Sequence, residues 1–127
     1  MLLDRQDLRE QAESIFKAFG EMVKSPNSSE RLLCALDFYY SKPKEIALAA
    51  HQQQDLDEMV KTVYSKYLPN KVVIASTGQA GGDQEVPLVK DKIAIDGKAT
   101  AYVCENYVCK APVQEASELA SLLWPTE

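Results

Sequence analysis

The sequence is poor in the residues on which most chemistry depends. It holds one histidine, one tryptophan and three cysteines. With His51 as the lone histidine, any Ser-His-Asp arrangement must use it, and no G-x-S-x-G elbow supplies a nucleophile. An odd cysteine count without a scaffold-like spacing excludes a disulfide framework and points to reduced thiols in the cytosol. No apolar run reaches the ~18 residues of a membrane span. Positive charge is also short: 14 basic against 19 acidic residues leave a net charge of −5. That balance argues against nucleic acid or an anionic membrane as partner. The chain opens with Met-Leu-Leu-Asp-Arg and turns amphipathic at once, without a signal-peptide pattern, which predicts a cytoplasmic protein. Glycine is sparse, and Gly78, Gly81 and Gly82 form neither a GxGxxG nor a Walker A fingerprint. The stretch from Thr77 to Asp83 therefore reads as a mobile loop.

What remains is the composition of one soluble α/β domain, 46% hydrophobic and 26% charged over 127 residues. Residues 4–24 carry apolar side chains at helical spacing: Leu8, Ala12, Ile15, Phe16, Phe19, Met22 and Val23. Ser25-Pro26-Asn27-Ser28 stops that helix, since proline blocks its continuation. Ser28 or Ser29 can cap a second helix over 29–41, with Leu32, Leu33, Leu36, Tyr39 and Tyr40 as its apolar stripe. Together they read as an αα-hairpin over residues 1–42. Residues 43–127 read as a separate α/β module. Glu45 to Ala50 is a short apolar run fit for a buried strand. Asp55 with Glu58 offers a capping box for a third helix over 56–68. Lys71 to Ser76 is a second strand, so the three elements form a βαβ unit with parallel strands. Glu115 to Leu123 reads as a closing helix.

The most informative stretch lies between. Asp96-Gly97 is a turn signal that wants positive φ. Thr100 to Val103 alternates as a strand, and Cys104-Glu105-Asn106-Tyr107-Val108-Cys109 follows. A two-residue turn at Asn106-Tyr107 sets Cys104 opposite Cys109 at a non-hydrogen-bonded position. A turn at Glu105-Asn106 would separate the thiols instead. Asparagine tolerates left-handed φ and tyrosine does not, so the turn chemistry is mixed. The predicted fold is thus α/β. A parallel pair at 44–50 and 71–76 is extended by an antiparallel hairpin at 100–104 and 108–111. The order βαβ then ββα resembles a thioredoxin-like core whose middle helix is replaced by the loop at 77–92.

The two cysteines admit three readings. Zinc would need two further ligands, and only Cys34 and His51 are available, on different elements. A cross-strand disulfide would close a loop of a few residues, with a small entropic gain and expected strain. The third reading is two half-buried thiols packing as small hydrophobes, and it sets the expectation: free thiols under reducing conditions on one side of the hairpin, with a structural role and no metal. Asp55, Asp57, Glu58, Glu115 and Glu118 sit at helix starts, where the macrodipole explains them without acid–base chemistry. No convergent catalytic set is found and no cofactor is implied.

Several stretches carry a family resemblance. They are Leu36-Asp37-Phe38, Pro43-Lys44-Glu45-Ile46, Tyr67-Leu68-Pro69-Asn70-Lys71-Val72-Val73 and the run from Pro87 to Val113. Within that run Asp96, Gly97, Tyr102, Asn106 and Pro112 stand with Cys104 and Cys109. In this order they resemble the C-terminal region of the YyaL / spermatogenesis-associated thioredoxin-domain-containing protein family. Gln114 departs from the pattern, where a Thr or Ser able to cap the last helix is expected. The resemblance implies a much longer parent: a thioredoxin-like domain, then an α/α barrel similar to sugar epimerases and glycosidases. Residues 4–41 would be the last barrel-type helices and 44–124 a terminal module, non-catalytic on its own, packing on or covering the barrel. The remainder of the parent chain would be its partner, with a homodimer through the exposed helical faces as a further expectation. The alternative is a redox-active or ligand-binding module centred on Cys104 and Cys109. The signature assigns no role to either cysteine.

Overall fold

The computed structural model describes residues 5–25, 27, 29–78, 86–106 and 108–125. The chain divides into two compact units, Asp4–Lys42 and Pro43–Glu127.

The first unit is a pair of helices. Helix α1, Gln6–Phe19, gives way to a 3-10 turn over Gly20–Lys24, so the helix predicted to run to residue 24 changes character at its one glycine. Helix α2 spans Glu30–Tyr40. Ser29 is its N-cap residue, but its hydroxyl donates backward to the Ser25 carbonyl at 3.0 Å rather than capping the helix. The helices meet through Tyr39. Its ring lies edge-on to Phe16 with centroids 5.2 Å apart, its hydroxyl donates to the Glu13 carboxylate, and the Arg9 guanidinium sits 5.4 Å over its face. Neither α1 nor α2 contains a buried residue.

The second unit is built on a four-stranded sheet ordered β2-β1-β3-β4. Strands β1 (Lys44–Ala49) and β2 (Lys71–Ser76) are parallel, joined by α3 (Asp57–Tyr64), as the βαβ reading predicts. Strand β3 (Thr100–Glu105) runs antiparallel to β1 and to β4 (Val108–Cys109). Helix α4, Ala116–Leu123, closes the unit. The mixed sheet joins a βαβ half to a ββα half, the order the sequence predicts. Among the described residues between β2 and β3, the helical element is a single 3-10 turn, Pro87–Val89.

Alternation decides the layers. Ile46 and Leu48 of β1 and Ala101 and Val103 of β3 point to one face, where they pack with Leu56, Met59 and Val63 beside α3 and with Leu119 and Leu123 of α4. Ala47 points to the other face, with Leu88 and Val89 of the 3-10 turn and the half-buried Val72, Ile74 and Tyr102. Central strand β1 is therefore buried on both sides, which is why its sequence reads as a continuous apolar run.

Two further boundaries differ from expectation. Helix α3 stops at Tyr64, not at 68, because the Ser65 amide bonds the Thr62 carbonyl at 3.1 Å and the Ser65 hydroxyl takes the same acceptor. Asp55 lies in a 3-10 turn, Gln53–Leu56, ahead of α3 and caps nothing. Strand β4 ends at Cys109 rather than 111, since the chain then bulges. The Lys110 amide donates to the Val103 carbonyl at 3.0 Å, and Ala101 and Val113 exchange two bonds at 2.8 and 3.0 Å. Three steps on one strand thus oppose two on the other, and Pro112, which has no amide to donate, occupies the bulge.

Candidate functional site

The sheet edge formed by β3 and β4 holds the predicted cysteine pair. Asn106 has φ 50°, the left-handed turn geometry that its side chain tolerates, and Tyr107 lies outside the described residues. The ladder pairs Glu105 with Val108 and Cys104 with Cys109, the first of the two registers considered. Cys104 then occupies a non-hydrogen-bonded position, where side chains approach most closely. Its Cα lies 3.9 Å from that of Cys109, and the two sulfurs are bonded. The expectation of free, packing thiols is therefore corrected: the register brings the two sulfurs directly face to face. Access is unequal. Cys104 is 2% exposed, whereas Cys109 is exposed on the outermost strand.

Around the bond, the sheet supplies neighbours that the sequence did not reveal. Glu45 stands opposite Cys104 across β1 and β3 and is itself buried. Lys44, on the other face, forms an ion pair with Glu105 across the same strands. These residues are 61 positions apart in sequence, so only the ladder register could pair them.

The signature residues have geometric roles. Asp96 and Gly97 have φ 51° and 73°, a two-residue turn closed by the Lys98 amide on the Ile95 carbonyl at 2.9 Å. The Tyr102 hydroxyl donates to the Ile93 carbonyl at 2.8 Å. Thr100, fully buried, accepts from the Ile95 amide at 3.0 Å and donates to the Lys98 carbonyl at 3.1 Å. Gln114, where a capping hydroxyl was expected, donates to the Ile95 carbonyl at 2.7 Å and so ties the turn to the start of α4. Asp96, Gly97, Tyr102, Asn106 and Pro112 hold backbone in place; they do not converge on a reacting centre.

The other candidates are dispersed. His51 is exposed after β1. Cys34 is an exposed free thiol on α2. Among the described residues, no three or more His, Cys, Asp or Glu side chains gather as metal ligands. Asp57 and Glu58 sit in the first turn of α3 and Glu118 in that of α4. Gly81 and Gly82 of the expected mobile loop lie outside the described residues, and no described helix is long and apolar enough to cross a membrane.

A second feature is the apolar surface of the helical pair. Leu8, Ile15, Phe19, Met22 and Tyr40 are 43–79% exposed. Of the aromatics on the two helices, Phe19 and Tyr40 are exposed, and Phe16 and Tyr39 are half-buried against each other.

No family model and no solved structure matches the chain. Curated proteins do. Spermatogenesis-associated protein 20 of Homo sapiens is 31% identical over 124 residues, covering 94% of this chain and 16% of that protein. The protein of the same name from Rattus norvegicus is 27% identical over 126 residues, covering 96% of the chain and 16% of its own length. The chain thus spans about a sixth of the length of these relatives.

Proposed function

We propose that this chain, which matches a region of the spermatogenesis-associated protein 20 family, serves a larger protein as a non-catalytic α/β module docked through its helical pair. The carrying observation is that α1 and α2, amphipathic by sequence, bury no residue. Helices of 14 and 11 residues are marginal in water by themselves, and their stability in proteins comes from packing an apolar face. Leu8, Ile15, Phe19 and Met22 supply such a face. Its occupant is the remainder of the parent chain, which the family resemblance describes as an α/α barrel after a thioredoxin-like domain. The Pro43–Glu127 unit has its own core and would ride on that contact as a cap. The backbone-holding roles of the signature residues fit a scaffold better than an active centre.

Hydrogen exchange tests this on the chain alone and within the full-length parent. Amides of α1 and α2 should exchange at least 10-fold more slowly in the parent, and Ile15→Asp with Phe19→Asp should remove that gain. Equal protection in both settings refutes docking by the parent. Protection that rises with the concentration of the chain alone, together with a dimer mass by light scattering, assigns the face to a second copy instead.

A further inference from the structure

We infer that the Cys104–Cys109 bond is a thiol-exchange site, opened by an external thiolate that attacks the Cys109 sulfur. Nothing in this inference depends on what covers the helical pair.

Three observations carry it. First, access is one-sided: Cys104 is 2% exposed, and Cys109 lies exposed on the terminal strand of the sheet. Exchange requires a thiolate to reach a disulfide sulfur, so the site of attack is set by which sulfur solvent can reach. Second, the bond is not what holds the hairpin. The register is fixed independently by the left-handed turn at Asn106, the bond from the Lys110 amide to the Val103 carbonyl, and the Ala101–Val113 pair. Neither cysteine belongs to the apolar clusters on the two faces of the sheet. A sequence separation of 5 also makes the closed loop short, where cross-linking constrains the unfolded chain least. The bond can therefore open with the fold intact. Third, the leaving sulfur is in the sheet. Cys104 is buried opposite Glu45, so it stays beside Cys109 when the bond opens and is shielded from a second external thiolate.

The chemistry balances as a two-electron exchange with a dithiol. One thiolate of the dithiol forms a bond to Cys109 Sγ as the bond to Cys104 Sγ breaks, and Cys104 leaves with the electron pair and is protonated. The second thiolate of the dithiol then displaces Cys109 from the mixed disulfide. The dithiol ends oxidised to a disulfide, and the protein ends with two thiols. A monothiol such as glutathione gives the mixed disulfide on Cys109 in its first step, and a second molecule is needed to release Cys109 as oxidised glutathione forms, so an acid quench traps the mixed disulfide. The substrate class is thus a protein or small-molecule dithiol.

The test uses the full chain with Cys34→Ser, which removes the free exposed thiol. The oxidised protein is treated with glutathione in native buffer, quenched in acid and sequenced by tandem mass spectrometry. Glutathione should sit on Cys109 at least 10-fold more often than on Cys104. Dithiothreitol should reduce the bond in the same buffer with no change in circular dichroism. In single-cysteine variants, the thiol left in Cys104→Ser should react with a maleimide at least 10-fold faster than the thiol left in Cys109→Ser. Adducts on Cys104, equal labelling of the two variants, reduction that needs denaturant, or thiols that stay free in oxidising buffer would each overturn the assignment.

Discussion

Replacing Leu119 by alanine probes whether the Pro43–Glu127 unit depends on the contact between α4 and the sheet. Leu119 is fully buried among Ile46, Leu48, Ala101, Val103 and Met59. Removing its branched end sacrifices transfer free energy and leaves a cavity that a sheet and two helices relax into only partly, at about 3–4 kcal/mol. At about 0.05–0.15 kcal/mol per residue, a unit of this size has roughly 4–13 kcal/mol in all. The loss should lower the melting temperature by ~12–30 °C. Trp124, the one tryptophan, packs against the same cluster and reports on it. Urea denaturation followed by its fluorescence and by circular dichroism should show a lower midpoint with an unchanged slope. The comparison is Ile15→Ala on α1, where the side chain is 52% exposed and alanine is the better helix former, for under about 1 kcal/mol. A Leu119→Ala cost below about 1 kcal/mol, or an equal shift of the Trp124 transition by Ile15→Ala, would refute this division between core and uncovered face.

At Gly97, φ is 73° and the space beyond is open, so Gly97→Ala should cost about 1–2 kcal/mol from backbone alone, measured by thermal melting. Thr100→Val keeps the shape but orphans the Ile95 amide and a bond to the Lys98 carbonyl. It should cost about 1–3 kcal/mol and speed exchange at the Ile95 amide; unchanged exchange would discount the hydroxyl. The Tyr39 hydroxyl holds Glu13 below its ordinary 4.5, helped by Lys17 and Arg9, and is itself raised above 10.0 by the Glu13 carboxylate. Glu13 therefore binds protons less readily in the fold, and its contribution is present above pH 4.5 and lost as pH falls through the lowered value. Tyr39 keeps its proton more tightly in the fold, so the contact weakens again as pH rises past 10.0. Carboxyl NMR of Glu13 should show the lowered midpoint, and Tyr39→Phe should return it toward 4.5.

The elements most legible in the sequence were those fixed by local backbone chemistry. Asp96-Gly97 wanted positive φ and has it at both residues, and Asn106 takes the left-handed φ its side chain tolerates. Apolar runs bounded by breakers gave β1 and β2 to within a residue. Helix ends were less legible. Whether α1 tightens at Gly20 or α3 stops at Tyr64 depends on three- versus four-residue hydrogen bonding, which differs by little in local propensity.

Sequence alone thus determined the α/β class, the parallel pair and the kinship with a region of much longer relatives, because periodicity and turn residues act over a few positions, while the ladder of the structure chose between the two hairpin registers. Tertiary structure decided the rest. It bonded Cys104 to Cys109 and buried one cysteine while leaving the other exposed, because that depends on which strand lies outermost. It set Glu45 opposite Cys104 and Lys44 beside Glu105, through the register of strands far apart in sequence. It also left the stripe of α1 and α2 uncovered. An amphipathic pattern says that a face must be covered; only the fold shows whether the chain covers it.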